Sequence, residues 1–246
     1  MTHPACDQIA YIAALPGEAR ALARLPALGR ARRPDGSRVR LGGMGPERAE
    51  AAARAAIADG ASALVSWGVA AALAPGLAAG DLLLADGVRS ADGRLLAVDK
   101  TWRAAIAASL PMGLAAPGVT ITEARDVIAD PAAKHTLHAA TGADALDMES
   151  AAIARVAAEH GAAFVAIRVV LDDANTGLPA AARVAMDEAG HLQPVALARS
   201  LVRAPLALHH QLRGLKQLAV AYRAARITLE RVADALANAP ADTPPA

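Results

Sequence analysis

The stretch Phe164-Val-Ala-Ile-Arg-Val-Val-Leu-Asp172 decides the fold of this chain. Its run Phe164–Val170 is almost wholly apolar, and a run of this kind predicts a strand that is covered on both faces. Such strands belong to sheets that have helices packed on each side. The run ends at Asp172, so a carboxyl group stands where this buried strand gives way to a loop.

Outward from this strand, short apolar runs alternate with Ala-rich segments. Alternation of this kind predicts an α/β domain whose mainly parallel sheet is flanked by helices. In such sheets the active site forms where strands end and loops begin. The predicted helices are Pro46–Asp59, Pro131–Thr141 and Met148–His160, and the predicted strands are Ile9–Ala14, Val39–Gly42, Ala63–Trp67, Asp81–Ala85, Val119–Thr122 and Ala145–Asp147.

The composition narrows the class of protein. The chain has 246 residues, of which 54% are apolar, and this suits one domain with a sizeable core. Aromatic residues make up 2% and the net charge is +1, so a nucleic-acid-binding surface is not expected. Cys6 is the only cysteine, and the first residues lack the pattern of a signal peptide. We therefore expect a protein of the reducing cytoplasm.

The C-terminal part differs in composition from the rest. We expect a main domain over residues 1–204, a basic amphipathic helix over 205–237 and a disordered tail over 238–246. Between Ala198 and Leu236, basic residues outnumber acidic ones by seven to two. Such a helix could lie on an anionic membrane surface. Alternatively, it could pack on the domain or on a second subunit, with its basic face in solvent.

Three carboxylates stand out because of their placement. Glu18 follows the Pro16-Gly17 turn after the first strand, Glu149 follows a short strand, and Asp172 ends the most apolar strand. Taken singly, Glu18 or Glu149 could be favourable charge at a helix N-terminus, and Asp172 could be a helix cap. Convergence of all three at one edge of the sheet would instead favour an active site.

Longer motifs contain these carboxylates. Ala145-Leu-Asp-Met-Glu-Ser-Ala-Ala-Ile-Ala154 precedes the strand that ends at Asp172, and three segments come earlier in the chain: Ile12-Ala-Ala-Leu-Pro-Gly-Glu18, Gly43-Met-Gly45 and Gly68-Val-Ala-Ala-Ala-Leu-Ala-Pro-Gly76. In this order the motifs resemble the nucleoside phosphorylase/nucleosidase superfamily, close to the methylthioadenosine/S-adenosylhomocysteine nucleosidases. The resemblance covers roughly residues 8–200.

The resemblance implies a fold and an activity. The fold is a single α/β domain with a central mixed sheet, partly curled into a barrel, and helices around it. The activity is cleavage of the bond between a purine base and its ribose, with no cofactor and no metal. Relatives are dimers or larger, so the resemblance also implies a homo-oligomer.

A narrower resemblance concerns the substrate. It rests on the basic tail and on three further segments: Val127-Ile-Ala-Asp-Pro-Ala-Ala-Lys134, Leu137-His-Ala-Ala-Thr-Gly142 and Ala198-Arg-Ser-Leu-Val-Arg203. These features are similar to the hopanoid-associated branch, which is thought to remove adenine from adenosylhopane and to leave ribosylhopane. The resemblance implies an adenine nucleoside with a lipidic 5′ substituent, and peripheral contact with the inner membrane.

The superfamily resemblance implies a role for each matched residue. Asp172 matches the acid that protonates the purine at N7, and Glu18 matches the acid that activates the attacking water. Glu149 matches the residue that binds the ribose hydroxyls, with Met148 packing on the sugar. The other matched positions are expected to bind the substrate or organise the site, the glycines and the 127–128 segment through their backbone: Gly43, Gly45, Gly68, Val69, Val127, Ile128, Asp147 and Arg168.

Three positions depart from the family pattern. Ser66 stands where phosphorolytic relatives have an arginine, and Val69 stands where the family often has a hydroxyl residue. Both departures weaken a phosphate site, so water is favoured as the nucleophile, with phosphorolysis as the alternative if Arg20 or loop amides hold phosphate. Leu171 replaces a serine that steadies the acid, which leaves the orientation of Asp172 open, although an apolar neighbour favours its protonated form.

Other classes of protein stay open as alternatives. A dinucleotide-binding oxidoreductase would use Gly43-Met-Gly45, but Arg48 occupies the third glycine position of that fingerprint and no acidic residue follows at the required distance. A non-catalytic, membrane-associated nucleoside- or lipid-binding protein would explain the basic tail together with Val69 and Leu171. A metal enzyme is not expected, because His135 and His138 lack an obvious third ligand.

Overall fold

The computed structural model describes residues 6–22, 30–32, 38–114, 118–179 and 208–238, together with the isolated positions 182, 193 and 199. The boundary expected at residue 204, most of the 198–203 motif, and residues 239–246 of the expected tail lie outside the described residues. Asn238, the first residue of that expected tail, ends a helix.

Nine strands and six helices make up the described part of the chain, after a short 3₁₀ turn at Cys6–Gln8. The helices are α1 (Pro16–Leu22), α2 (Pro46–Ala58), α3 (Lys100–Ser109), α4 (Pro131–Thr141), α5 (Ser150–Glu159) and α6 (Leu208–Asn238). The strands are β1 (Ile9–Ala13), β2 (Arg30–Arg32), β3 (Arg38–Leu41), β4 (Ala63–Ala72), β5 (Leu82–Arg89), β6 (Leu95–Ala97), β7 (Val119–Glu123), β8 (Ala145–Asp147) and β9 (Ala163–Asp172).

Five of the strands close into a ring. β9 pairs parallel with β4 along its whole length and antiparallel with β5; β5 pairs with β7, β7 with β8, and β8 with β4. The predicted central mixed sheet with a barrel-like part is therefore confirmed. The sheet is less parallel than the alternation of elements predicted, because β4–β8 and β5–β9 are antiparallel pairs that complete the ring.

Strand β9 is covered on both faces, as its apolar run predicts. Phe164, Ala166 and Val170 belong to the core layer that contains α2 and α5. Val165, Ile167 and Val169 face the layer that contains α1, α3 and α6. Because β9 lies between two dry layers, Arg168, the one charged side chain in its interior, needs buried partners.

The C-terminal helix is part of this core over its second half. Ala225, Leu229 and Val232 of α6 are buried in the layer with α1 and α3. Tyr222 lies against Gly17 of α1, where even a Cβ atom would collide with the tyrosine hydroxyl. Of the alternatives considered for the C-terminal helix, packing on the domain therefore describes the second half of α6. Among the described residues, no helix combines the length and the apolar character that crossing a bilayer would require.

We expect Leu229→Ala to lower the free energy of unfolding by about 2–5 kcal/mol, because Leu229 is fully buried and its truncation would leave a cavity. Leu212→Ala is the matched control, since Leu212 of the same helix is 50% exposed. Urea unfolding of both variants measures the difference. Equal effects would contradict the placement of α6 in the core.

Candidate active site

A buried guanidinium lies at the centre of the candidate site. Arg168 projects from β9 and its side chain is 1% exposed. Its Nε lies 2.6 Å from Asp147 Oδ2 and 3.2 Å from Ser150 Oγ, while Nη2 donates to Ser66 Oγ at 2.7 Å. Nη2 also lies 3.4 Å from Glu149 Oε2. The guanidinium is therefore engaged by two carboxylates and two hydroxyls from three separate elements.

Glu18 reaches the same place from α1. Its Oε2 accepts the amide hydrogens of Leu15 at 2.8 Å and Ala14 at 3.1 Å, and its Oε1 accepts that of Val69 at 2.9 Å. Burial raises the pKa of this carboxyl group, while Arg168 and the three amides act in the opposite direction. Glu18 is thus held rigidly at the end of β1, in the first turn of a helix that the sequence indicated only as a turn.

Gly68 is where Glu18 and Arg168 meet. A Cβ atom at this position would lie 2.6 Å from Glu18 Oε1 and 2.7 Å from Arg168 Nη1. Both charged groups therefore rest against the bare backbone of β4, and any side chain at position 68 would force them apart. The resemblance singled out Gly68, and its close contacts give that position a physical reason.

Glu149, the residue immediately before α5, completes this cluster. Its Oε1 accepts the amide hydrogen of Gly45 at 3.0 Å. Gly45 and Gly43 have φ values of 96° and 92°, which glycine adopts without strain. Burial raises the pKa of Glu149 to about 7; Arg168 opposes this rise, and Asp147 and Glu18 reinforce it.

Asp147 has a visible structural task. Its Oδ1 accepts the amide hydrogens of Glu149 at 3.2 Å and Ser150 at 3.0 Å, and its Oδ2 pairs with Arg168. It therefore orients the start of α5 and, with it, Glu149. Met148 is half-buried between these two acids. The predicted contacts of Asp147 and Met148 with a substrate stay predictions.

Asp172 lies at the end of β9 and is paired with a lysine to which the sequence analysis assigned no role. The Nζ of Lys134, on α4, donates to Asp172 Oδ2, and both side chains are buried. Burial raises the pKa of Asp172, Lys134 opposes this rise, and Asp173 adds to it. In the sequence, Lys134 ends the Val127–Lys134 segment and lies on the same predicted helix face as Leu137, three residues along.

The sheet register relates Asp172 to the Arg168 cluster. Asp172 is opposite Ala71 of β4, and Ala71 is opposite Leu146 of β8. Neighbouring strands are about 5 Å apart, so the backbone of Asp172 lies about 10 Å from the segment that carries Asp147 and Glu149. Glu18 and Glu149 therefore both lie next to Arg168. Asp172 lies at the adjoining strand ends, where Lys134 is its partner.

The remaining predicted residues lie around these groups. Val127 is exposed and Ile128 packs partly against the small core layer that contains Leu73 and Leu146, immediately before α4. Arg20 is exposed on α1. In the part of the chain that the structure describes, no group of three or more side chains is arranged to hold a metal ion.

A cavity of about 250 Å³ opens beside the start of α2. Its lining is largely charged, with Glu123 and Arg155 paired at 3.0 Å among the lining side chains. Such a lining suits water or a polar group better than an apolar one.

Comparison with known proteins finds a family model and solved structures that match this chain. A sequence model described as the phosphorylase superfamily matches residues 8–204. The fold matches that of futalosine hydrolase from Helicobacter pylori strain 26695, with a TM-score of 0.67 and 16% identity over 92% of this chain and 97% of that one. No curated protein matched the chain.

Two nucleosidases have the same fold. The 5′-methylthioadenosine/S-adenosylhomocysteine nucleosidase of Neisseria meningitidis, solved with methylthio-immucillin-A, gives a TM-score of 0.68 at 18% identity over 93% of this chain and 97% of that one. The enzyme of the same name from Streptococcus pneumoniae, solved with a transition-state inhibitor, gives 0.64 at 21% identity over 93% and 99%. The similarity thus extends over nearly the full length of both chains.

We expect Glu149 to make the stability of the protein depend on pH. Its folded pKa of about 7 lies above the ordinary value of 4.5, so between these values the folded state holds a proton that the unfolded state has released. This stabilisation is complete below pH 4.5 and is lost as the pH rises through 7. Glu149→Gln should therefore show a shallower loss of unfolding free energy than the wild type when urea unfolding is measured across this range.

Glu47→Gln is the control for this measurement, because Glu47 is exposed on the first turn of α2. That variant should follow the wild-type curve. If the curves of Glu149→Gln and the wild type run parallel, Glu149 does not hold the additional proton.

Proposed function

The chain belongs to the phosphorylase superfamily, and from this premise we propose that it hydrolyses the N-glycosidic bond of an adenine nucleoside. The observation that carries the proposal is the convergence of Glu18 and Glu149 on Arg168, with Asp172 at the adjoining strand ends. The names of the solved structures with this fold support it, because they are those of a hydrolase and of nucleosidases.

Asp172 serves as the acid in this proposal. As the bond between the ribose C1′ and the purine breaks, its electron pair moves into the base, which must then accept a proton. Burial raises the pKa of Asp172 and so favours the protonated carboxyl group, which in this proposal delivers its proton to N7. Lys134 occupies Oδ2 and leaves Oδ1 for the base.

Glu149 and Glu18 act on the sugar side. The ribose becomes oxocarbenium-like as the base leaves, and a carboxylate next to its hydroxyls stabilises that charge. Glu149, fixed by Gly45 and Asp147, supplies this group. Glu18 accepts a proton from water while the water oxygen bonds to C1′, and the three amides that hold Glu18 fix its direction.

The charge of the cluster favours water over phosphate. Three carboxyl groups, those of Glu18, Asp147 and Glu149, act on the single guanidinium of Arg168. A phosphate dianion entering this cluster would find a single cation, which carboxyl groups already engage. Ser66, which replaces the arginine of phosphorolytic relatives, accepts a hydrogen bond from Arg168 and adds no positive charge. Hydrolysis therefore fits the described residues better than phosphorolysis.

The substrate in this proposal carries a lipidic 5′ substituent, as adenosylhopane does, and the enzyme works as a homo-oligomer in the cytoplasm at the inner membrane. The first half of α6 supports the membrane contact, because the exposed apolar side chains of Leu212 and Val220 lie on the same helix as Arg213 and Lys216. Flotation with vesicles of anionic lipid tests it, and a protein that stays unbound would contradict it.

A substrate panel tests the reaction. Adenosine and adenosines with 5′-methylthio or 5′-alkyl groups are incubated with the protein, with and without inorganic phosphate, and free adenine is measured by chromatography. The proposal requires adenine release that does not depend on phosphate, and a product with a free anomeric hydroxyl. A sugar 1-phosphate would overturn hydrolysis, and binding without any adenine release would favour the non-catalytic alternative.

We expect Asp172→Asn to slow adenine release by about 10²–10⁴-fold, because an amide cannot supply the proton that the leaving base needs. Asp81→Asn is the matched control. Asp81 is exposed just before β5, and its side chain accepts the amide hydrogen of Ala78 at 2.8 Å, which an amide oxygen can also do. Near-normal turnover in a folded Asp172→Asn variant would remove Asp172 from the acid role.

A further inference from the structure

We infer that Lys134 is a positioning residue whose ammonium group holds the Asp172 carboxyl group in the orientation that protonates the leaving base. The inference rests on the function proposed above. It concerns a residue outside the Arg168 cluster, and it assigns the task of aiming Asp172 to α4, a different element from the strand that carries it.

The contacts of Lys134 are complete and are concentrated on one short segment. An ammonium group has three hydrogens to donate. Here they go to Asp172 Oδ2, to the carbonyl oxygen of Asp173 at 2.7 Å and to that of Thr176 at 3.0 Å. The side chain is 0% exposed, so water does not compete for these hydrogens. Lys134 therefore fixes both the carboxyl group and the turn of backbone that follows it.

The helix that carries Lys134 is itself well anchored. Asp130 caps α4 by accepting the amide hydrogen of Ala132 at 3.1 Å, and Pro131 occupies the first turn, where it needs no donor. The amide of Leu178 donates to the carbonyl oxygen of Ala129 at 3.0 Å. The 172–178 segment and the start of α4 thus form one unit, in which Lys134 supplies the contact to the carboxyl group.

Leu171, which precedes Asp172 in the sequence, cannot orient the Asp172 carboxyl group. Leu171 has no polar side-chain group with which to orient a carboxyl group. Since Oδ2 of Asp172 receives Lys134, the rotation of the carboxyl group about its Cβ–Cγ bond is restricted, and Oδ1 is left as the oxygen for a ligand. Lys134 therefore replaces, from across the fold, a support that the adjacent position lacks.

A lysine at this place needs a reason beyond packing. Removing an ammonium group from water is expensive, and a well-packed apolar side chain would commonly stabilise a core as well or better. The charge also acts on Asp172, because Lys134 favours the ionised carboxylate, whereas burial and Asp173 favour the protonated acid. Lys134 can therefore hold Asp172 in place while burial and Asp173 act against ionisation of the carboxyl group.

The test compares Lys134→Met, which has a similar length and no charge, with Lys134→Arg, which keeps the charge. For adenine release we expect Lys134→Met to lower kcat by about 10²-fold with KM nearly unchanged, because the acid is misplaced and binding is not. In the pH profile of kcat for Lys134→Met, the fall in rate on the alkaline side should move to higher pH. The reason is that no cation then favours the ionised form of Asp172. Lys134→Arg should recover most of the rate.

Two further variants separate positioning from a general loss of structure. In the Asp172→Asn background, Lys134→Met should cause no additional loss of kcat, because the residue acts through the carboxyl group that has been removed. If Lys134→Met does not fold, Lys134→Gln, which keeps one amide donor without the charge, takes its place in every comparison. The inference would be overturned if the losses of kcat from Lys134→Met and Asp172→Asn were additive. It would also be overturned if the alkaline fall in the pH profile of kcat did not move in Lys134→Met.

A direct titration distinguishes failure of this inference from failure of the proposed function. Carbon-13 labelling of aspartate carboxyl groups gives a resonance for Asp172 that disappears in Asp172→Asn. Its titration midpoint should lie at higher pH in Lys134→Met than in the wild type, whether or not the protein cleaves nucleosides. An unchanged midpoint would refute the influence of Lys134 on Asp172, and a shifted midpoint without adenine release would refute the proposed reaction alone.

Discussion

The buried guanidinium of Arg168 is the interaction on which the rest of the structure depends. A charge removed from water in the middle of β9 is tolerable only with close, well-oriented partners. Asp147, Glu149 and the hydroxyls of Ser66 and Ser150 supply them at 2.6–3.4 Å. These partners come from β4, β8 and the start of α5, so the ring of strands and the helix beside it must assemble around the same cation.

The ionisable groups fall into two systems, each with its own cation. In the first, Glu18, Glu149 and Asp147 share Arg168, and burial with mutual repulsion raises the pKa of Glu149 to about 7. In the second, Asp172 has Lys134 as its own partner. The proposed acid, Asp172, and the proposed base, Glu18, therefore lie beside different cations. A site that must give a proton on one side of a bond and accept one on the other benefits from this separation.

Much of the fold follows from the sequence, and the failures have physical causes. The apolar run predicted that β9 is buried on both faces, and the predicted helix Pro131–Thr141 agrees with α4, whose ends Asp130 and Gly142 cap locally. The 16–22 segment indicated only a turn, since a seven-residue helix beginning with Pro-Gly carries little local signal. Lys134 received no role because its partner lies 38 residues away. The identity of the substrate is inferred from resemblance alone, because the rules of packing predict a fold and not a ligand.

Helix α6 has a geometric consequence of its own. It is 31 residues long, so it extends about 46 Å as one rod. Its far half is clamped by Leu229 and Val232 in the core, and its near half touches Pro179 at Gly214. A helix held at both of these places cannot rotate independently of the domain. A partner that binds the exposed side of α6 would therefore bind the whole domain in one fixed orientation.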